Sequence, residues 1–144
     1  MKKTPMILRT LAGLALFGAL IQAVPMPRAN PPVESNIPVP GDVQAILRAS
    51  CYDCHSNETT WPWYSRVAPV SWLVARDVAD GRRHLNFSTW NRYPPERQAK
   101  FMARIIREVR KGDMPPWFYV IKHADAKLTP ERQAALEAWA GRRP

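Results

Sequence analysis

The chain has 144 residues, enough for one domain and short of two comfortable ones. Its 21 Lys+Arg against 12 Asp+Glu give a net charge of +9, and an apolar content of 46% excludes a wholly disordered chain. Two cysteines are too few for a disulfide-stapled scaffold, and both fall within one short motif, which points to chemistry rather than cross-linking.

The N-terminus has the form of an export signal. Lys2, Lys3 and Arg9 make a positive start, followed by the uncharged run TLAGLALFGALIQAV at 10–24. That run fits a signal-peptide core and falls short of the roughly 20 apolar residues that span a bilayer squarely. Ile21-Gln22-Ala23 is a mediocre cleavage site, because the position occupied by Ile21 prefers a smaller side chain. Residues 1–24 therefore fit either a cleaved signal or a retained membrane anchor. In both cases the positive flank stays cytoplasmic and the remainder is expected in the periplasm.

Residues 25–40 (PMPRANPPVESNIPVP) hold six of the fifteen prolines. Proline removes backbone donors and forces its predecessor towards extended conformations, so this stretch predicts a semi-rigid, polyproline-like spacer. Residues 41–144 form the domain, and their apolar pattern is helical throughout. Asp42 is placed to cap a first helix with Val43, Ile46 and Leu47 inward. Ser71 is placed to cap a second, which Gly81 closes. Pro95-Glu96 opens a third, striped by Phe101, Met102, Ile105, Ile106 and Val109 and stopped at Gly112. Thr129-Pro130-Glu131 opens a fourth, with Leu136, Trp139 and Ala140 inward and Gly141 at its end. The fold class expected is all-α. Loops at 56–70, 82–94 and 113–128 carry Trp61, Trp63, Tyr64, Phe87, Trp90, Trp117, Phe118 and Tyr119. So many aromatics around a small helical frame suggest packing against a large flat cofactor that completes a marginal core.

Cys51-Tyr52-Asp53-Cys54-His55 is C-x-x-C-H, the attachment motif of c-type haem. Residues three apart share a helix face, so both thiols can reach the vinyl groups on one porphyrin edge while the next residue, His55, reaches the iron. The rival readings are weaker. A thioredoxin-type pair expects a βαβ context, a disulfide between these positions closes a trivial loop, and zinc needs two further ligands at compact spacing. For the second axial ligand, Met114 stands out: it follows the helix stop at Gly112-Asp113 and precedes Pro115-Pro116, on a stiff loop. A thioether held there suits a low-spin haem iron. His84 and His123 are the alternatives, and Met102 belongs to the apolar stripe of its helix. A carbonyl in the Val67-Ala68-Pro69 loop is the expected acceptor for the other ring N–H of His55. Trp61, Trp63, Tyr64 and Arg66 are available as donors to haem propionates, or as plain packing and solvated surface. Arg97, Lys100, Arg104, Arg107 and Lys111 form a basic stripe on the third helix. Such a stripe is ordinarily a solvated face; its functional version is docking to an acidic redox partner or to anionic lipid. An exported haem protein argues against nucleic acid as the partner of that charge.

The order of haem-site helix, long loop, Met-Pro-Pro and C-terminal helix resembles a small monohaem class I cytochrome c. More closely, the chain resembles the bacterial haem-binding domain family of exported, cytochrome-c-like proteins. The segments that carry this are RANPPV (28–33), CYDCHSNETTWPWYSRVAPVSWLVARDV (51–78), GRRHLNFSTW (81–90), GDMPPWFY (112–119) and the stretch from His123 to Trp139. The resemblance implies one covalent haem c on Cys51 and Cys54, loaded by the cytochrome c maturation machinery, with His55 on iron. It also makes His84 a shared motif residue. The function expected is that of a single-electron carrier with His/Met ligation, not an enzyme. A haem-based gas sensor with an open or displaceable sixth site is the alternative. A peroxidase-like enzyme is disfavoured, because no distal acid–base pair stands out.

Overall fold

The structure, a computed structural model, describes residues 4–142. The positive start at Lys2 and Lys3 lies outside the described residues. Seven α-helices occur among the described residues: α1 (Thr4–Gln22), α2 (Gly41–Ser50), α3 (Tyr52–His55), α4 (Val70–His84), α5 (Pro95–Lys111), α6 (Trp117–Lys122) and α7 (Pro130–Ala140). Extended pairing among the described residues is confined to one isolated bridge between Ser35 and Thr89. The fold is all-α.

Two compact units divide the chain, and α4 contributes to both. One unit comprises the segment up to Ala29 together with Trp61–Asp77. Here α1 exposes Leu11, Leu14, Leu16, Phe17 and Leu20. Among the described residues no helix is long and apolar enough to cross a membrane. At the end of α1, the Gln22 amide donates to the Ala68 carbonyl at 3.3 Å and accepts from the Ala68 N–H at 3.1 Å. Arg28 donates to the Ser65 carbonyl at 3.1 Å.

The other unit comprises Asn30–Thr60 and the chain from Val78 onward. Its core gathers Val43, Ile46 and Leu47 of α2, Tyr52 of α3, Leu85, Phe87, Trp90, Phe101 and Val109 of α5, and Leu136, Trp139 and Ala140 of α7. The third and fourth sequence-expected helices appear as α5 and α7. Proline stands at the start of both, its missing N–H costing nothing there, and the Thr129 hydroxyl accepts from the Arg132 N–H at 3.3 Å. Gly112 closes α5 at φ +75°, a left-handed conformation that glycine adopts without a Cβ penalty.

Five local expectations are corrected. Asp42 lies in the first turn of α2, and Pro40 is the residue that precedes the helix. Ser71 lies inside α4, buried, rather than at its cap. Gly81 does not end α4, which runs on to His84, because the glycine is there for close packing. The 113–128 loop contains α6, whose aromatic and β-branched sequence gives no helical signal of its own. Phe87 and Trp90, expected against a cofactor, lie in the protein's own core.

The second half of the proline-rich stretch is extended but packed. Ile37 is 3% exposed and joins the core, and the N–H groups of Glu34 and Ser35 both donate to the Ser88 carbonyl. An ion pair joins Glu34 to Arg92. This strap cannot form a helix, so it satisfies its backbone against the 86–90 loop instead.

Candidate haem site

Cys51 ends α2 and begins α3, so the C-x-x-C-H turn is held at the end of a helix anchored by Leu47, one of the most buried side chains. The Cys51 carbonyl accepts from the N–H groups of Cys54 at 3.2 Å and His55 at 2.9 Å. Positions 51, 54 and 55 therefore share one face of a tight helical turn, and all three side chains are half-buried. Tyr52 points the other way into the core, stacked on Phe87 at 5.3 Å with the Arg48 guanidinium 4.9 Å from its ring. The two cysteines form no disulfide. Burial pushes the Cys51 thiol up to about 12, with the neighbouring Cys54 adding to the shift.

His55 is fixed from behind. Its Nδ1 lies 3.0 Å from the Gly81 carbonyl and 3.1 Å from the Leu85 carbonyl. Carbonyls only accept, so Nδ1 carries the proton and the neutral ring keeps its lone pair on Nε2. Burial holds the imidazole below its ordinary value, against the opposing pull of those two carbonyl bonds. The acceptor expected in the 67–69 loop is thus replaced by the last turn of α4 and the residue just after it. Gly81 makes this possible: a Cβ there would lie 2.4 Å from the Cys54 carbonyl oxygen and 2.9 Å from its carbon.

A polar network behind the motif escaped sequence reasoning. Asn86 donates to the Asn57 carboxamide at 2.8 Å and accepts from the Ser88 N–H at 2.9 Å. Asn57 donates to the Pro32 carbonyl at 2.8 Å, and its N–H donates to the Ser88 hydroxyl at 2.9 Å. The Phe87 N–H donates to the His55 carbonyl at 2.7 Å. Arg82 donates to the Ser56 carbonyl at 2.7 Å and to the side chains of Asn30 and Thr59, each at 2.9 Å. These bonds tie the strap, the residues just after the motif, Arg82 of α4 and the 86–88 segment into one network. The available sequence signal was the density of Asn, Ser and Thr next to C-x-x-C-H and in the LNFS stretch.

The candidate sixth ligands stand in three different environments. Met114 is exposed, at the end of α5, where the N–H groups of Asp113 and Met114 turn back to the Glu108 carbonyl at 3.0 and 3.3 Å. His84 is exposed at the end of α4, its Nδ1 2.8 Å from the Asp80 carbonyl. His123 stacks on Tyr119 with ring centroids 4.2 Å apart and planes 12° apart. Met102 packs against the core from α5. Trp61, Trp63, Tyr64 and Arg66 belong to the first unit, where Trp63 meets Tyr64 edge to face at 5.8 Å.

The donor set fits a haem. It offers two thiols, an imidazole with its proton already committed to carbonyls, and an exposed apolar surface. Trp117 and Ile121, 74% and 66% exposed, lie with Phe118 on α6, directly after Met114-Pro115-Pro116. Exposed aromatic and aliphatic side chains clustered in this way mark a surface that takes an apolar partner.

A search of curated proteins and a search of solved structures each found no match. A family model described as a haem-binding domain matches residues 16–142, and the chain belongs to that haem-binding domain family.

Proposed function

We propose that this haem-binding protein is an exported carrier of single electrons. In this reading Cys51 and Cys54 hold one haem c by thioether bonds, His55 Nε2 is the proximal ligand and the Met114 thioether is the sixth. The observation that carries it is the double carbonyl anchor on His55 Nδ1, at 3.0 and 3.1 Å, beside the C-x-x-C-H thiols. Second-partner fixing of this kind orients a ligating imidazole and raises its donor strength. When bound, haem supplies the one-electron iron couple. His55 presents a preoriented lone pair, and Trp117, Phe118 and Ile121 offer apolar surface to exclude water. Two protein ligands leave no open position, so the reading includes no catalysis on a substrate.

The uncharged run at 10–24 behind Lys2, Lys3 and Arg9 supports export, with loading by the maturation machinery in the periplasm and association with the membrane through the N-terminus. The exposed Lys100, Arg104 and Lys111 on α5 support docking to an acidic redox partner.

The test is a visible spectrum of protein co-expressed with a cytochrome c maturation system, recorded oxidised, reduced, and reduced with carbon monoxide. Sharp low-spin reduced bands, a weak far-red band when oxidised and no carbon monoxide response are expected. Met114→Ala should abolish the far-red band and admit carbon monoxide. A wild-type spectrum lacking that band moves the sixth ligand to His84 or His123. Ready carbon monoxide binding by the wild type favours a gas sensor. Retention of non-extractable haem by the Cys51→Ser, Cys54→Ser double variant overturns covalent attachment through these residues.

A further inference from the structure

α6 has no buried residue, and its six residues are too few to be stable as an isolated helix. One side-chain bond ties it to the attachment motif: the Tyr119 hydroxyl donates to Asp53 Oδ2 at 2.7 Å. Asp53 lies between the two cysteines, and its other oxygen accepts from the Thr60 N–H at 2.8 Å. The carboxylate is thereby held from both sides. Tyr119 is half-buried, backed by the His123 ring. Its own N–H and that of Val120 donate to the Pro116 carbonyl at 3.0 and 3.2 Å, so α6 is continuous with the Pro115-Pro116 pair. Met114 precedes that pair. Two prolines with fixed φ transmit the placement of α6 to the methionine with little slack.

We infer that the Asp53–Tyr119 hydrogen bond is the clamp that fixes the Met114 loop relative to the haem-bearing turn, making Tyr119 and Asp53 positioning residues for the sixth ligand. This rests on the His/Met reading above. It gives Asp53, the variable position of C-x-x-C-H, a task distinct from attachment: its backbone belongs to the thiol turn, and its carboxylate sets where the opposite loop stands. A hydrogen bond to a charged acceptor is strong enough to bias a labile thioether ligand when it is lost.

The experiment compares the haem-loaded wild type with Tyr119→Phe, Asp53→Asn and Met114→Ala. The readouts are the far-red band, competition by added imidazole, and haem yield. Tyr119→Phe should keep full covalent haem yet weaken the far-red band and tighten imidazole binding by roughly tenfold. Asp53→Asn keeps a carbonyl acceptor and should give a smaller change. Combining Asp53→Asn with Tyr119→Phe should add nothing to Tyr119→Phe alone, because one bond is lost either way. Should Asp53→Asn fail to mature, Tyr119→Phe decides the matter by itself. Wild-type imidazole affinity and an undiminished far-red band in Tyr119→Phe overturn the clamp. If Met114→Ala leaves the wild-type spectrum unchanged, the ligation reading falls and the clamp with it. An effect in Met114→Ala with none in Tyr119→Phe removes the clamp alone.

Discussion

The Gly81 carbonyl lies 3.0 Å from Nδ1 of His55, and the missing side chain at position 81 is what lets α4 approach closely enough for that bond. With the Leu85 carbonyl at 3.1 Å, this backbone atom of a helix fixes the tautomer of an imidazole 26 residues away. The close approach is made against the carbonyl of Cys54, so the C-x-x-C-H turn and His55 share a single backing surface.

Gly81→Ala should therefore damage the site as well as the fold. Its Cβ would sit 2.4 Å from a backbone oxygen, which no rotamer change can relieve. A loss of about 1–3 kcal/mol is expected for such overpacking, measured by urea denaturation. Haem yield from the maturation system should fall in parallel, since His55 loses its anchor. Unchanged stability and yield would show that the two helical segments can part at no cost.

Asn86 serves two buried partners at once. Asn86→Ala strands the Asn57 carboxamide oxygen and the Ser88 N–H, both in buried residues. Unsatisfied buried groups cost about 1–3 kcal/mol each, so on the order of 3 kcal/mol is expected for the variant. The denaturant midpoint checks this, and a shift no larger than that of an exposed control such as Asn91→Ala refutes it.

Two arginines hold the strap and the loops near it with unequal effect. Arg82 is half-buried and donates to Ser56, Asn30 and Thr59, whereas Arg92 pairs with Glu34 in the open. Arg82→Ala should cost about 2–3 kcal/mol through the carbonyl and hydroxyl left without their donor. Arg92→Ala should leave the midpoint nearly unmoved, because exposed ion pairs are screened by water and salt. The reverse order of effects would mean that the strap, rather than the network under it, carries the stability.

Alkaline conditions should unfold the haem-free protein selectively. Burial raises the Cys51 thiol from 9.0 to about 12, and burial also raises Tyr52 and Tyr119, the latter aided by its bond to Asp53. The folded chain keeps protons that the unfolded chain releases. The stabilisation is complete below the ordinary thiol value of 9.0 and declines as pH rises towards 12. Urea midpoints across that range should fall, and Cys51→Ser should flatten the early part of the decline. If haem is carried on a Cys51 thioether as proposed, the loaded protein should decline later, through its tyrosines. A midpoint that rises with pH in the haem-free protein contradicts the assignment.

The local features were written in the sequence. C-x-x-C-H spacing, proline at the first turns of α5 and α7, glycine at the end of α5 and an apolar repeat of helical period are each encoded within a few residues, because they act on backbone dihedrals and one helix face. From these alone follow an all-α chain and a C-x-x-C-H turn at the end of a helix. Other decisions waited for the tertiary structure. The anchor for His55 came from Gly81 and Leu85 rather than the 67–69 loop, the proline-rich strap was packed through Ile37, and Asp53 met Tyr119 across 66 residues. Such pairings are set by which backbones can approach each other once the core of α2, α5 and α7 has formed. A glycine that ends a helix and one that lets a helix touch a neighbouring carbonyl look alike in sequence, and only packing tells them apart.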